Sequence, residues 1–213
     1  MGWPRARSQV LKRNDKVHLS GVERTFPEND IIVSKTDLKG NLTYANKIFI
    51  DISGYTEKEL IGQPHSILRN PQMPRVMFKV LWCMLQSGSE IFAYVVNRCK
   101  NGDHYWVYAH ATPSFDMKGN IIGYHSNRRV PDRRILEEHI IPLYAKLREE
   151  EHRHASAKDG LTASTKMLES MLDDLGMDYD EFIATVGKER HGSRPSGRRR
   201  QGYDKETERC VWA

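Results

Sequence analysis

The sequence predicts an α+β fold: a five-stranded antiparallel sheet with short helices on one face, followed by further helices toward the C-terminus. Three observations predict it. Residues 98–107 join two aromatic, alternating segments through Lys100-Asn-Gly-Asp103, a second alternating pair flanks Asp37-Leu-Lys-Gly-Asn41, and a helical apolar pattern separates the two pairs.

Each element has its own signal. Ile31–Thr36 and Leu42–Ala45 read as the first hairpin. Asn46 caps a short helix running to Gly54, and Thr56-Glu-Lys-Glu59 is a capping box before a single turn that ends at Gly62. Pro64, Pro71 and Pro74 bracket a loop that is not helical throughout, because each lacks an amide donor and restricts its predecessor. From Pro74, the residues Met77, Phe78, Leu81, Trp82 and Leu85 recur at helical spacing, and Gly88 ends the run. Strands over 91–99, 104–113 and 121–129 follow, the last entered through Asp116-Met-Lys-Gly-Asn120. Asn101-Gly102 suits a two-residue type I′ turn, which needs positive φ at both central residues.

Alternation sorts the paired strands into two faces. Ile91, Ala93, Val95 and Asn97 join Tyr105, Val107, Ala109 and Ala111 on a face of small and medium residues with one amide, a wall with room for a ligand. Phe92, Tyr94, Val96, His104, Trp106, Tyr108 and His110 load the other face with aromatics. That face needs a cover: the N-terminal arm, the C-terminal helices or a second copy of the chain.

Beyond Pro131 the composition shifts. Residues 132–155 read as an amphipathic helix perturbed by Pro142, residues 162–175 as a second, and Tyr179, Phe182, Ile183 and Val186 as a short third. The chain then divides into a basic arm (1–19), a domain (20–131), a helical segment (132–187) and a basic tail (188–213) expected to be disordered.

Composition narrows the function. Hydrophobic residues at 38% support one modest core, and no apolar run approaches a membrane span, so a soluble, cytoplasmic protein is expected. The net charge of +5 suggests nucleic acid only superficially, since the excess sits at Arg5, Arg7, Lys12, Arg13, Arg194, Arg198, Arg199 and Arg200. Cys83, Cys99 and Cys210 lack CxxC or zinc spacing and read as reduced structural thiols. No Rossmann glycine pattern, triad or nucleophile elbow supports an enzyme.

Thr36-Asp-Leu-Lys-Gly-Asn-Leu-Thr-Tyr-Ala-Asn46, Ile52-Ser-Gly-Tyr-Thr56, Leu60-Ile-Gly-Gln-Pro-His65, Arg69-Asn-Pro-Gln-Met-Pro74 with Phe78 and Trp82, and Lys100-Asn-Gly-Asp-His-Tyr-Trp106 together resemble the PAS domain of bacterial aerotaxis receptors. The likeness spans roughly 30–131. It implies noncovalent FAD and a redox signal sent to the chemotaxis machinery. Carried over by position, Arg69, Asn70, Gln72, Trp82 and Asn97 match the flavin-binding positions, with Ala93, Val95 and Val107 as the wall. Arg69 suits a phosphate, Trp82 an aromatic ring and Asn97 a flavin edge. Without the resemblance, Trp82 reads as core and Arg69 as an exposed helix-flank arginine.

The sequence departs from that family at Asn70 and Gln72, where His and Asp are common, and at Ala93 in place of glycine. Ile91–Asn97, Thr112–Phe115 and Gly123–Pro131 look more like the split energy-taxis type, in which a soluble PAS protein acts in trans on a membrane chemotaxis transducer. A homodimer through the sheet face is also expected. The rival cofactor is heme b, with His104, His110, His125 or His65 as axial ligand, and alternation places His104 and His110 on the aromatic face. A cofactor-free interaction scaffold is the third reading.

Overall fold

The structure, a computed structural model, describes residues 18–188. The expected basic arm, apart from its last two residues, and all but the first residue of the tail lie outside the described residues.

Asp37 builds the first turn, its carboxylate accepting the amides of Lys39 and Asn41 and the Asn41 side chain, so β1 (Ile32–Thr36) returns as β2 (Leu42–Ala45). Asn46 Oδ1 accepts both the Phe49 amide, capping α1 (Lys47–Ser53), and the Val33 amide, tying the helix to the sheet. The Thr56–Glu59 capping box opens α2 (Glu57–Leu60) as read from the sequence. A 3₁₀ turn (His65–Leu68) and α3 (Arg75–Gln86) complete the helices before β3 (Ile91–Arg98), β4 (His104–Phe115) and β5 (Ile121–Arg129).

The sheet order is β2-β1-β5-β4-β3, antiparallel at each pairing. Ala93 pairs with Ala109, Val95 with Val107 and Asn97 with Tyr105, so the two expected faces form. The turn between β3 and β4 differs from the expected two-residue form. The Gly102 amide donates to the Cys99 carbonyl and the Cys99 amide to the Asp103 carbonyl, leaving a three-residue loop with Gly102 at φ 96°. Asn101 works through its side chain instead, accepting the Asp103 amide and donating to the Asp103 carboxylate. Register in the strands is unaffected. Residues 20–24 lie beside the start of β4, where the His104 amide donates to the Val22 carbonyl and the Arg24 amide to the His104 carbonyl.

The segment after Pro131 folds as α4 (Arg133–Ile135), a π turn (Leu136–Ile140), α5 (Ile141–His152), α6 (Ala157–Leu175) and α7 (Tyr179–Thr185). Pro142 has no amide to donate, and the preceding turn widens so that the Ile141 amide reaches the Leu136 carbonyl. The α6 helix starts five residues before the sequence suggested, capped by Ser156. Gly160 belongs inside it, because a Cβ there would sit 2.3 Å from the Glu151 carbonyl oxygen where α5 and α6 cross.

These helices cover much of the aromatic face. The Tyr144 hydroxyl donates to the Tyr94 carbonyl at 2.6 Å, and Tyr94, Val96 and Trp106 are buried in one cluster with Leu136, Ile140, Leu147, Tyr179 and Ile183. Phe92 stays 36% exposed, stacked on His110 at 4.2 Å, so the cover stops short of that row.

Candidate functional site

The opposite, inner face is where small residues and buried polar groups meet. Two apolar clusters divide it. One joins α3 to Ile91, Ala111 and Tyr124, and the other joins Phe49, Leu60 and Leu68 to Tyr105, Val107 and Ala109. Val95 packs against both, so it marks the seam between them.

Alternation along β5 turns Tyr124, Ser126 and Arg128 inward. Arg128 is 5% exposed; it donates to Ser34 Oγ at 2.9 Å and to His65 Nε2 at 2.8 Å, and lies 5.4 Å over the Phe49 ring. None of these partners is a carboxylate. Burial lowers the guanidinium to about 10, so it keeps its charge at neutral pH. Burial, reinforced by the Arg128 charge, pushes His65 down to about 3, which fixes it as a neutral acceptor. Tyr105, directly across from Asn97, is held as a neutral phenol by burial.

Among the described residues, two buried polar atoms here lack a hydrogen-bond partner, Arg128 Nη1 on the sheet and Asn70 Nδ2 in the loop before α3, while the buried Asn97 amide and Tyr105 phenol face each other across β3 and β4. Buried donors are ordinarily satisfied, so such groups are what a polar ligand edge would complete. Such donors suit a planar, acceptor-rich ligand edge.

The residues expected from sequence distribute unevenly. Ala93, Val95, Val107 and Asn97 share the inner face. Asn70 is buried, its Oδ1 accepting the Gln72 amide, whereas Gln72 and Arg69 are exposed. Arg69 lies with its guanidinium 4.4 Å over the Phe78 ring, and its backbone bridges to Asn97. Trp82 is half-buried, edge-on to Tyr124 at 5.2 Å, with its ring tip 3.1 Å from where a Gly40 Cβ would stand. Its ring thus abuts the β1–β2 turn.

Sequence reasoning missed Arg128 and Tyr105 as site groups. The signal was present for Arg128, since one of two adjacent arginines on a strand must point inward. Among the histidines, His125 pairs with Thr112 and Lys35 on the aromatic face with His110, contrary to its treatment as a candidate ligand; His65 is the one joined to the inner cluster.

Comparison with known proteins agrees with the geometry. The family described as PAS fold matches residues 29–126. The aerotaxis receptor of Escherichia coli (strain K12) is 44% identical over 121 residues, 56% of this chain and 23% of the receptor. The nitrogen fixation regulatory protein of Klebsiella pneumoniae is 28% identical over 99 residues, 46% of this chain and 20% of that protein. Among solved structures, the light state of the blue-light photoreceptor Aureochrome1 LOV aligns with a TM-score of 0.47 at 17% identity, covering 55% of this chain and 91% of that one. The chain thus spans about a quarter or less of the length of the curated relatives named here. Residues 29–126 therefore form a PAS fold, and this part of the chain is similar in sequence to the aerotaxis receptor of Escherichia coli.

Proposed function

We propose that this protein is a redox sensor that holds FAD noncovalently on the inner face of its PAS domain and signals through protein contacts. The observation that carries the reading is Arg128, a buried cation without a carboxylate partner, on an inner face that also holds the buried Asn97 amide and the buried Tyr105 phenol. When bound, the flavin would supply reversible electron transfer. The chain's own part is to bind, orient and shield. Asn97 and Asn70 offer amides, Ala93, Val95 and Val107 give a flat wall, and Trp82 closes one end. Arg69 and Gln72, both at the surface, suit the nucleotide portion rather than the ring. Arg128 would favour whichever ligand state carries more negative charge.

The output partner in this reading is a membrane chemotaxis transducer acting in trans, with the protein soluble, cytoplasmic, dimeric through the sheet face and without enzymatic activity. Among the described residues no helix is long and apolar enough to cross a membrane. Heme b remains the rival, although His65 Nε2 already accepts from Arg128.

Absorbance of freshly purified protein, followed by acid release and chromatography, tests the reading. Recovery of FAD is expected. A Soret band, or a folded protein that takes up no FAD when supplied in excess, would overturn it.

A further inference from the structure

The first turn of α3 has no cap of its own. Pro74 supplies no side-chain hydrogen bond, yet the Arg75 and Val76 amides each donate at 3.0 Å to a carboxylate oxygen of Glu151, which lies at the end of α5. Glu151 is 7% exposed, and its third described partner is the Ser164 hydroxyl on α6 at 3.2 Å. The arrangement is reinforced around it. Arg75 donates to the Ala157 carbonyl, Lys79 reaches Thr165 at 3.5 Å, and Gly160 admits the α5 backbone only because it lacks a Cβ.

On its other side α3 packs against the inner face of the sheet, at Ile91, Ala111 and Tyr124. The turn ending in Asn70-Pro-Gln-Met73 leads directly into α3, Asn70 presents an unpartnered buried amide, and α3 carries Trp82 edge-on to Tyr124. One helix therefore touches the candidate ligand site on one side and the C-terminal helices on the other.

We propose that Glu151 is a latch that makes the seating of α5 and α6 and ligand binding at the inner face a single coupled equilibrium. The link to a ligand rests on the flavin reading above, while the latch itself does not. Coupling of this kind is reciprocal: a ligand that fixes α3 must tighten the latch, and loosening the latch must weaken the ligand by the same factor. Glu151 is a positioning residue in this scheme. It acts on the inner face through α3, and release of α5–α6 exposes the aromatic face to a partner.

Hydrogen exchange on the full chain reads the latch directly, because the Arg75 and Val76 amides have no acceptor within their own helix. In Glu151→Gln, which keeps the shape but loses the charge and one acceptor oxygen, exchange at these amides and across 160–168 should quicken together by at least about tenfold, the factor one charge-assisted hydrogen bond carries. Ser164→Ala should move both segments the same way by less, and serves as the milder variant if Glu151→Gln does not fold. Added FAD should slow both segments in the wild type, and its affinity should fall in the variants. Unchanged exchange at Arg75 and Val76, or a change confined to one segment, would overturn the latch. Wild-type protein that fails to bind FAD while its variants still show the paired change would sink the flavin reading alone.

Discussion

Arg128 donates to His65 Nε2 at 2.8 Å, so a buried cation rests on a histidine that must remain neutral. The pair is the polar centre of the inner face, and its protonation has consequences for stability. Folding lowers His65 from 6.5 to about 3. Between those values the unfolded chain binds a proton that the folded chain refuses. Stability is therefore complete above pH 6.5 and is lost as pH falls toward 3, by at most about 1.4 kcal/mol per pH unit.

Melting temperatures from pH 8 to 4 check this. The wild type should lose stability between pH 6.5 and 4.5, and His65→Gln should flatten that slope. Glu59, held down to about 2 chiefly by Lys100, acts only at lower pH. His125 is lowered by burial and contributes with the same sign, so the difference between the two proteins isolates His65. Parallel curves would exclude His65 as the source.

Arg128→Met separates the cation's ligand role from a structural one. Removing an uncompensated buried charge leaves the fold close to neutral or more stable. Flavin affinity should nevertheless fall by about tenfold or more, the value of one hydrogen bond from a charged donor, and the reduction potential of any retained flavin should become more negative. Loss of stability with unchanged flavin affinity would assign Arg128 to the fold alone.

Trp82→Phe should leave the protein folded and lower the flavin-to-protein ratio. A purely structural Trp82 would lower the melting temperature and leave occupancy unaltered in the surviving protein. Trp82→Ala confounds the two, since the cavity alone costs about 3 kcal/mol.

The aromatic face gives two contrasting variants. Tyr94 is 4% exposed beneath Tyr144, so Tyr94→Glu buries an unpaired carboxylate and should undock the C-terminal helices at a cost of about 3 kcal/mol or more. Phe92→Glu lies outside that cover and should change stability by no more than about 0.5 kcal/mol while weakening any association through this face. Sedimentation and thermal unfolding, run on both, read the two effects.

Gly160→Ala sets helix propensity against packing. Alanine favours an isolated helix by about 1 kcal/mol, but its Cβ would stand 2.3 Å from the Glu151 carbonyl oxygen. The clash should win. A lower melting temperature is expected, and a rise would mean that the α5–α6 crossing can spread at little cost.

Much of this was legible from local chemistry. Asn46 and the Thr56–Glu59 box marked helix starts because capping there depends on a few neighbouring atoms, and Pro74 marked a third through its fixed φ and missing amide. Alternation assigned Ala93, Val95, Asn97 and Val107 to one face because strand geometry leaves no other choice. Local signals also misled. Asn101-Gly102 suggested a two-residue turn, yet the Asn101 side chain took the Asp103 amide and the loop closed over three residues. Gly160 hid the first turn of α6, since its reason for being glycine is a neighbour in another helix.

The sequence by itself determined the order of the sheet-domain elements, the two faces of the sheet and the PAS fold, all of which follow from side-chain period, turn chemistry and motifs read within a few residues. Only the tertiary structure decided which buried groups meet. Arg128 finds His65 across 63 positions of chain, and Glu151 finds the Arg75 amide across 76. No local pattern encodes such pairings, because they depend on where the sheet order and the C-terminal helices bring distant atoms within hydrogen-bonding reach, and burial then sets the charge each one keeps.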